Sequence, residues 1–235
     1  MTADLLIFDC DGVLIDSEPV ASRLLTNAMR RAGVDVAEAQ VHSRFTGASE
    51  QESRQICIDE FGLDDIDGLF QDVRAEIYAE FSRSLRTMPG MTELVMALPH
   101  RKCVASNSGM ERLKRSLGLF DLWHAFAPHI FSAEMVARAK PAPDLFLLCA
   151  QTLGVEPQRC IVIDDSTHGV CGAVAAGMTA IGFVDPADPR ADRRLALERD
   201  GAWLVVEGAA ELAAALKLNL STARSERSTA AMART

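Results

Sequence analysis

No run of apolar residues in this 235-residue chain approaches the ~20 needed to cross a bilayer. The N-terminal stretch shows no basic region followed by a long apolar segment, so no signal peptide is expected. A basic excess is also missing. The net charge is −9, which lacks the electrostatic footprint of a nucleic-acid binder. An acidic chain can still take an anionic substrate if a metal ion or a few placed cations reverse the local field. Paired cysteines are absent too. Cys10, Cys57, Cys103, Cys149, Cys160 and Cys171 form no C-x-x-C, and most lie in apolar runs such as Cys160-Ile161-Val162. They read as small buried hydrophobes in a reduced, cytoplasmic protein. No internal repeat is visible. What is present is ordinary for a globular protein, with 49% hydrophobic and 24% charged residues. The length suits one large domain or one domain carrying an insert.

The most informative stretch is Leu5-Leu6-Ile7-Phe8-Asp9-Cys10-Asp11-Gly12. A short bulky run ending in a turn signal reads as a strand buried on both faces. Asp9 then sits at the strand's carboxyl end and Asp11 in the loop beyond, with Gly12 allowing a sharp turn. Two carboxylates one residue apart repel each other, and a cation or a proton stabilises such a pair. Cys10, between them, alternates to the opposite side and is expected to pack rather than react.

Pro19 opens a helix with Val20, Leu24, Leu25, Ala28 and Met29 at helical spacing, stopped by Gly33. Arg44 to Ser49 reads as a glycine-containing loop. Ser49 caps a helix carrying Ile56, Cys57 and Phe61, and Asp65 or Asp67 opens another through Phe81. Residues 17–85 therefore look purely helical. From Pro89-Gly90 the pattern changes to strands alternating with helices. Strands are expected at 102–105, 129–132, 160–163, 179–184 and 203–206. Helices are expected at 93–98, 111–117, 145–153, 170–176 and 209–218. That alternation implies an α/β fold, a Rossmann-like parallel sheet core with helices on both faces. Residues 221–235 lack an apolar face and read as a disordered tail.

Four stretches fall at strand ends: Asp9/Asp11, Ser106-Asn107, Lys140-Pro141 and Asp164-Asp165. Alone, Ser106 suits a helix N-cap, Lys140 a solvated surface, and His168 an exposed first helical turn. A parallel sheet gathers strand ends into one crevice, and there the four together suit phosphoryl transfer. The carboxylates are oxygen ligands for a hard divalent cation, most simply Mg2+. Ser106, a backbone N–H near Asn107 and the Lys140 ammonium are donors for phosphoryl oxygens. A carboxylate can attack phosphorus to form an acyl phosphate.

Asp9-Cys10-Asp11-Gly12-Val13-Leu14-Ile15-Asp16-Ser17-Glu18, Val104-Ala105-Ser106-Asn107-Ser108, Lys140-Pro141-Ala142-Pro143-Asp144 and Ile163-Asp164-Asp165-Ser166 with Gly169 resemble, in order, the four motifs of the haloacid dehalogenase-like hydrolase superfamily. The resemblance implies a catalytic core at 1–16 and 86–220, with a small helical cap at 17–85 hinged near Ser17-Glu18 and Leu85 to Pro89. It implies Asp9 as nucleophile, Asp11 as general acid/base and Lys140 as the neutralising cation. Ser106, Asn107 and Lys140 would hold phosphate, and Asp9, Asp11 (through its carbonyl), Asp164 and Asp165 would hold Mg2+. Arg44, Thr46 and Ser49 are candidate substrate contacts from the cap. The implied activity is hydrolysis of a small phosphorylated metabolite, a sugar, sugar-acid or polyol phosphate such as 6-phosphogluconate. No nucleic-acid or membrane partner is expected, and a monomer or weak homodimer is. Two alternatives stand. One is a β-phosphoglucomutase-like phosphotransferase, which the lack of basic residues around Thr46, Gly47 and Glu50 disfavours. The other is a phospho-aspartate receiver-like signalling module, which the helical insert disfavours.

Overall fold

Leu5, Leu6, Ile7 and Phe8 are fully buried and form the first strand, β1 (Leu5–Phe8). Their side chains alternate between two cores. Leu6 and Phe8 join one apolar cluster, and Leu5 and Ile7 the other. Phe8 packs edge to face on Phe126, with ring centroids 5.7 Å apart. The computed structural model describes residues 3–188, 190 and 192–216. The expected tail at 221–235 and the last two residues of the expected 209–218 helix lie outside the described residues.

β1 is central in a six-stranded sheet with β2 (Arg101–Ser106), β3 (Ile130–Ser132), β4 (Cys160–Asp164), β5 (Thr179–Val184) and β6 (Leu204–Glu207). The order is β3-β2-β1-β4-β5-β6, and every pairing is parallel. The winding reverses between β1 and β4, where open α/β sheets form their ligand crevice. Phe8 pairs with Val104 on one side and Ile163 on the other, so Asp9, just past β1, is level with Ala105 near the end of β2 and with Asp164 at the end of β4.

Between β1 and β2 lie α1 (Glu18–Arg31), α2 (Glu38–Phe45), α3 (Glu50–Phe61), α4 (Ile66–Ser84) and α5 (Met91–Ala97). Ser49 caps α3 by accepting from the Glu52 N–H, and Asp65 caps α4, as the sequence indicated. Helix α2 corrects the expected loop: Arg44 and Phe45 are helical. Its signal is weak because Ala37 offers no capping side chain and Val41 is its one buried residue. The two strands of chain entering and leaving the helical segment are stitched together. The Asp16 N–H donates to the Arg86 carbonyl at 2.9 Å, and the Met88 N–H to the Leu14 carbonyl at 3.0 Å.

After β2 come α6 (Met110–Leu117), α7 (Leu122–Phe126), α8 (Asp144–Leu153), α9 (Thr167–Ala175) and α10 (Arg193–Arg199). Residues 208–216 are helical as well. The sequence did not indicate α7 or α10. Both are short, and neither has a side-chain cap. Among the described residues, no helix is long and apolar enough to cross a membrane.

Helix α9 packs against the end of β4 without room for a side chain at Gly169. A Cβ there would lie 1.8 Å from the Asp164 carboxyl carbon. Gly169→Ala should cost about 3 kcal/mol by overpacking, read as a lowered midpoint in urea unfolding. Wild-type stability in that variant would mean that Asp164 is not held where the fold places it.

Candidate active site

The centre is built at the reversal of the sheet. The buried Lys140 ammonium donates to Asp9 Oδ1 and to Asp164 Oδ2, each at 2.7 Å. Asp164 also accepts from the Ser166 N–H at 3.0 Å and the Ser166 hydroxyl at 2.7 Å. Asp9, Asp164 and Asp165 each place a carboxylate oxygen within 4.8 Å of the others. Burial drives the Asp9 carboxyl well above its ordinary range, opposed by Lys140. Asp165 is pushed up to about 8, by burial first and then by Asp164 and Glu18. For Lys140 burial acts downward, but Asp164 and Asp9 outweigh it and raise the ammonium's pKa. Three crowded, buried oxygen donors fit a small hard cation. Gly12, at φ +78°, lets the loop after β1 lie on this cluster. A Cβ there would be 2.7 Å from Asp165 Oδ2.

Asp11 lies outside the three-acid group, with its own donors. Its carboxylate accepts from Ser108 Oγ at 2.6 Å, from Arg112 Nη2 at 2.9 Å and from the Ser17 hydroxyl. Burial alone would raise its pKa. The Arg112 charge and the serine hydroxyls reverse that and bring it below the ordinary range. Ser106 is buried, and its hydroxyl accepts from the Ser108 N–H at 3.1 Å. The Asn107 side chain is a three-way tie. It donates to the Gly47 carbonyl at 3.1 Å and the Lys140 carbonyl at 3.2 Å, and accepts from the Lys140 N–H at 3.0 Å.

Asp9, Asp11, Ser106, Asn107 and Lys140 line one cavity of about 560 Å³, and helices α1, α3 and α4 supply its opposite wall. Ser49 lines it too. Arg44 does not. It is exposed on α2 and pairs with Glu60, at 3.0 Å from Nε, because that carboxylate lies across from it on α3. Thr46 turns to the His42 carbonyl at 2.7 Å and Glu18 Oε2 at 3.1 Å instead of the cavity. His168 is half-buried, not exposed, with Nε2 3.3 Å from Glu52 Oε1 on α3. Cys10 is buried in the apolar core as expected.

Sequence reasoning missed several residues here. Ser17, Ser108 and Arg112 converge on Asp11 from separate elements, and only Ser17 and Ser108 lay within quoted motifs. Arg54 and Arg74 reach the cavity wall, both bonded to Glu50, at 3.0 and 2.8 Å. No loop motif marks them, because they sit one helical face inward on α3 and α4.

The sheet order and this centre define a class: an α/β enzyme with a buried acid–lysine centre facing a helical segment. A family model described as haloacid dehalogenase-like hydrolase matches residues 3–177. The chain is 32% identical over 187 residues to 6-phosphogluconate phosphatase of Escherichia coli (strain K12), covering 79% of this chain and 84% of that one. It is 31% identical over 180 residues to fructose-1-phosphate phosphatase YqaB of the same strain, covering 75% and 94%. A HAD family hydrolase from Deinococcus radiodurans R1, solved with bound phosphate and sodium, matches with TM-score 0.75 at 31% identity, over 92% of this chain and 96% of that one. The chain belongs to the haloacid dehalogenase-like hydrolase family, and it is a phosphatase.

Glu18 lines the cavity with its carboxyl pushed up to about 7, by burial and then by Asp11. In the unfolded chain it ionises near its ordinary value of 4.5. Between those values the native state holds a proton that the unfolded state has lost, so Glu18 subtracts stability as pH rises. Glu18→Gln removes that loss. Chemical denaturation at pH 5 and pH 7.5 should show the variant gaining on wild type at the higher pH. An equal difference at both values would mean that Glu18 ionises normally.

Proposed function

We propose that the chain is a Mg2+-dependent phosphatase of small sugar, sugar-acid or polyol phosphates, 6-phosphogluconate among them, working through an aspartyl phosphate on Asp9. The observation that carries this reading is the Lys140 bridge between Asp9 and Asp164, with Asp165 beside it. The bridge fixes the Asp9 carboxyl at the cavity floor beside the Lys140 ammonium. The substrate range follows the phosphatase relatives, which act on a phosphosugar acid and a phosphosugar by name. Buried thiols throughout the core suit a cytoplasmic setting.

In the first step an Asp9 oxygen attacks phosphorus, the bond to the leaving oxygen breaks, and Asp11 supplies that oxygen with a proton. In the second step Asp11 takes a proton from water, whose oxygen attacks phosphorus and releases inorganic phosphate and free Asp9. Ser17, Ser108 and Arg112 favour the Asp11 anion, the form the water step needs. Ser106, the Asn107 backbone and Lys140 hold the phosphoryl oxygens. Asp9, Asp164, Asp165 and the Asp11 carbonyl would hold Mg2+, which would supply charge neutralisation for the phosphoryl oxygens.

Residues 17–85 act as a cap on a core made of 1–16 and 86–220. The Asn107–Gly47 and His168–Glu52 contacts join the two across the cavity and exclude water when they form. Hydrolysis is favoured over phosphate shuttling between two positions of a sugar. The cap arginines that reach the cavity, Arg54 and Arg74, are already matched by Glu50 and Asp67 rather than left for a second phosphate.

Asp11→Asn should keep the fold and lose about 10²- to 10⁴-fold in turnover, measured as phosphate released from a panel of sugar and polyol phosphates with and without Mg2+. Turnover at the wild-type level would remove Asp11 from the role. Release that does not depend on Mg2+ would remove the cation.

A further inference from the structure

Two partly buried arginines that the reaction above does not use follow β5, Arg190 in the loop and Arg193 at the start of α10. Arg190 and Arg193 have side chains 16% and 13% exposed. Both guanidinium groups approach Asp165 Oδ2, at 3.8 and 3.7 Å. Arg193 Nη2 also donates to the Asp165 main-chain carbonyl. The loop's Asp188 holds the pair in place. It accepts from Arg190 Nε at 2.9 Å and lies 3.5 Å from Arg193 Nε. His42 of the cap approaches the far side of Asp188, with Nε2 4.0 Å from Oδ1. Neither arginine lines the cavity, so neither is placed to touch substrate.

Partly buried guanidinium groups carry part of a desolvation cost and persist where charge or hydrogen bonds compensate it. Here the compensation is two carboxylates, and one of them is Asp165, assigned above to the cation. Two positive groups within 4 Å of that carboxylate neutralise it, and they also repel any cation that approaches it. Asp188 moderates the pair by drawing its charge away from Asp165.

We propose that Arg190 and Arg193 are resident counter-cations for the acid cluster: they stabilise Asp165 while no divalent cation is bound, and they weaken cation binding, with Asp188 setting how strongly they do so. The inference rests on the reading of Asp165 as a Mg2+ ligand. It makes the two arginines positioning residues for that carboxylate. Opposite signs follow for opposite charges. Losing an arginine lowers the positive potential at the site, whereas losing Asp188 raises it.

The test is MgCl2 titration of metal-free full-length protein by calorimetry, paired with thermal unfolding in EDTA and in saturating Mg2+. Arg193→Gln and Arg190→Gln should bind Mg2+ roughly three- to tenfold more tightly than wild type. Asp188→Asn should bind it more weakly, and Arg193→Lys should stay near wild type. In EDTA the Arg→Gln variants should melt lower by about 2–4 °C, and saturating Mg2+ should restore most of that. A purely structural role would lower both melting points together and shift affinity in the same direction for Arg193→Gln and Asp188→Asn. That result overturns the inference, as does unchanged affinity. If Arg193→Gln does not fold, Arg190→Gln and Asp188→Asn still give the opposed pair. A wild-type chain that gives no heat with Mg2+ removes the cation reading itself, an outcome separate from any difference among variants.

Discussion

One ammonium group organises this protein. Lys140 stands between Asp9, at the end of β1, and Asp164, at the end of β4, and donates to both. Those strands flank the reversal of the sheet, so the bridge spans the seam where the two halves of the fold meet. Breaking a buried ion pair by removing one partner costs about 3–5 kcal/mol, because a buried charge is left uncompensated. In this centre one lysine compensates two carboxylates, and a third carboxylate lies beside them. The fold tolerates that crowding through the hydrogen bonds that surround it, from Ser166 to Asp164 and from the Asn107 amide to the Lys140 carbonyl, and through Arg190 and Arg193 beside Asp165.

The same constraint explains the roles of small residues and hydroxyl groups nearby. Gly169 and Gly12 leave the space that the Asp164 and Asp165 carboxylates occupy. The Asp11 carboxylate is drawn away from the acid cluster by three donors from three elements, and that separates its electrostatic environment from that of Asp9. Two aspartates one residue apart thus differ in opposite directions from ordinary carboxylates, one raised by burial and one lowered by its donors. Such divergence is what a site needs when one carboxyl attacks and the other moves protons.

Helical residues 17–85 complete the cavity without entering the sheet. Their connections to the core are two adjacent, hydrogen-bonded segments. Cross-contacts from Asn107, His168 and Asp188 reach the helices at three separate places. Apolar packing joins the helices to the core as well, because Ile77 and Phe81 of α4 belong to the same apolar cluster as Leu113 and Leu117 of α6.

Much of this is legible in the chain alone. The apolar run of β1, the acid pairs after β1 and β4 and Ser106 each lie where local pattern marks a strand end, and strand alternation is enough to imply that they share an edge, whereas Lys140, expected at a strand end, lies in the loop between β3 and α8. The helical nature of 17–85 was equally clear from spacing and caps, except for α2, whose single buried residue leaves almost no periodic signal. Residue type and local period determined the elements, the parallel sheet and the acids, because these depend on neighbours a few positions away. Which donors reach Asp11, where Arg44 and Thr46 turn, and the approach of Arg190 and Arg193 to Asp165 were decided only by tertiary structure. Those contacts join residues up to 101 positions apart, and the distances that set their energies exist only once the sheet has brought their elements together.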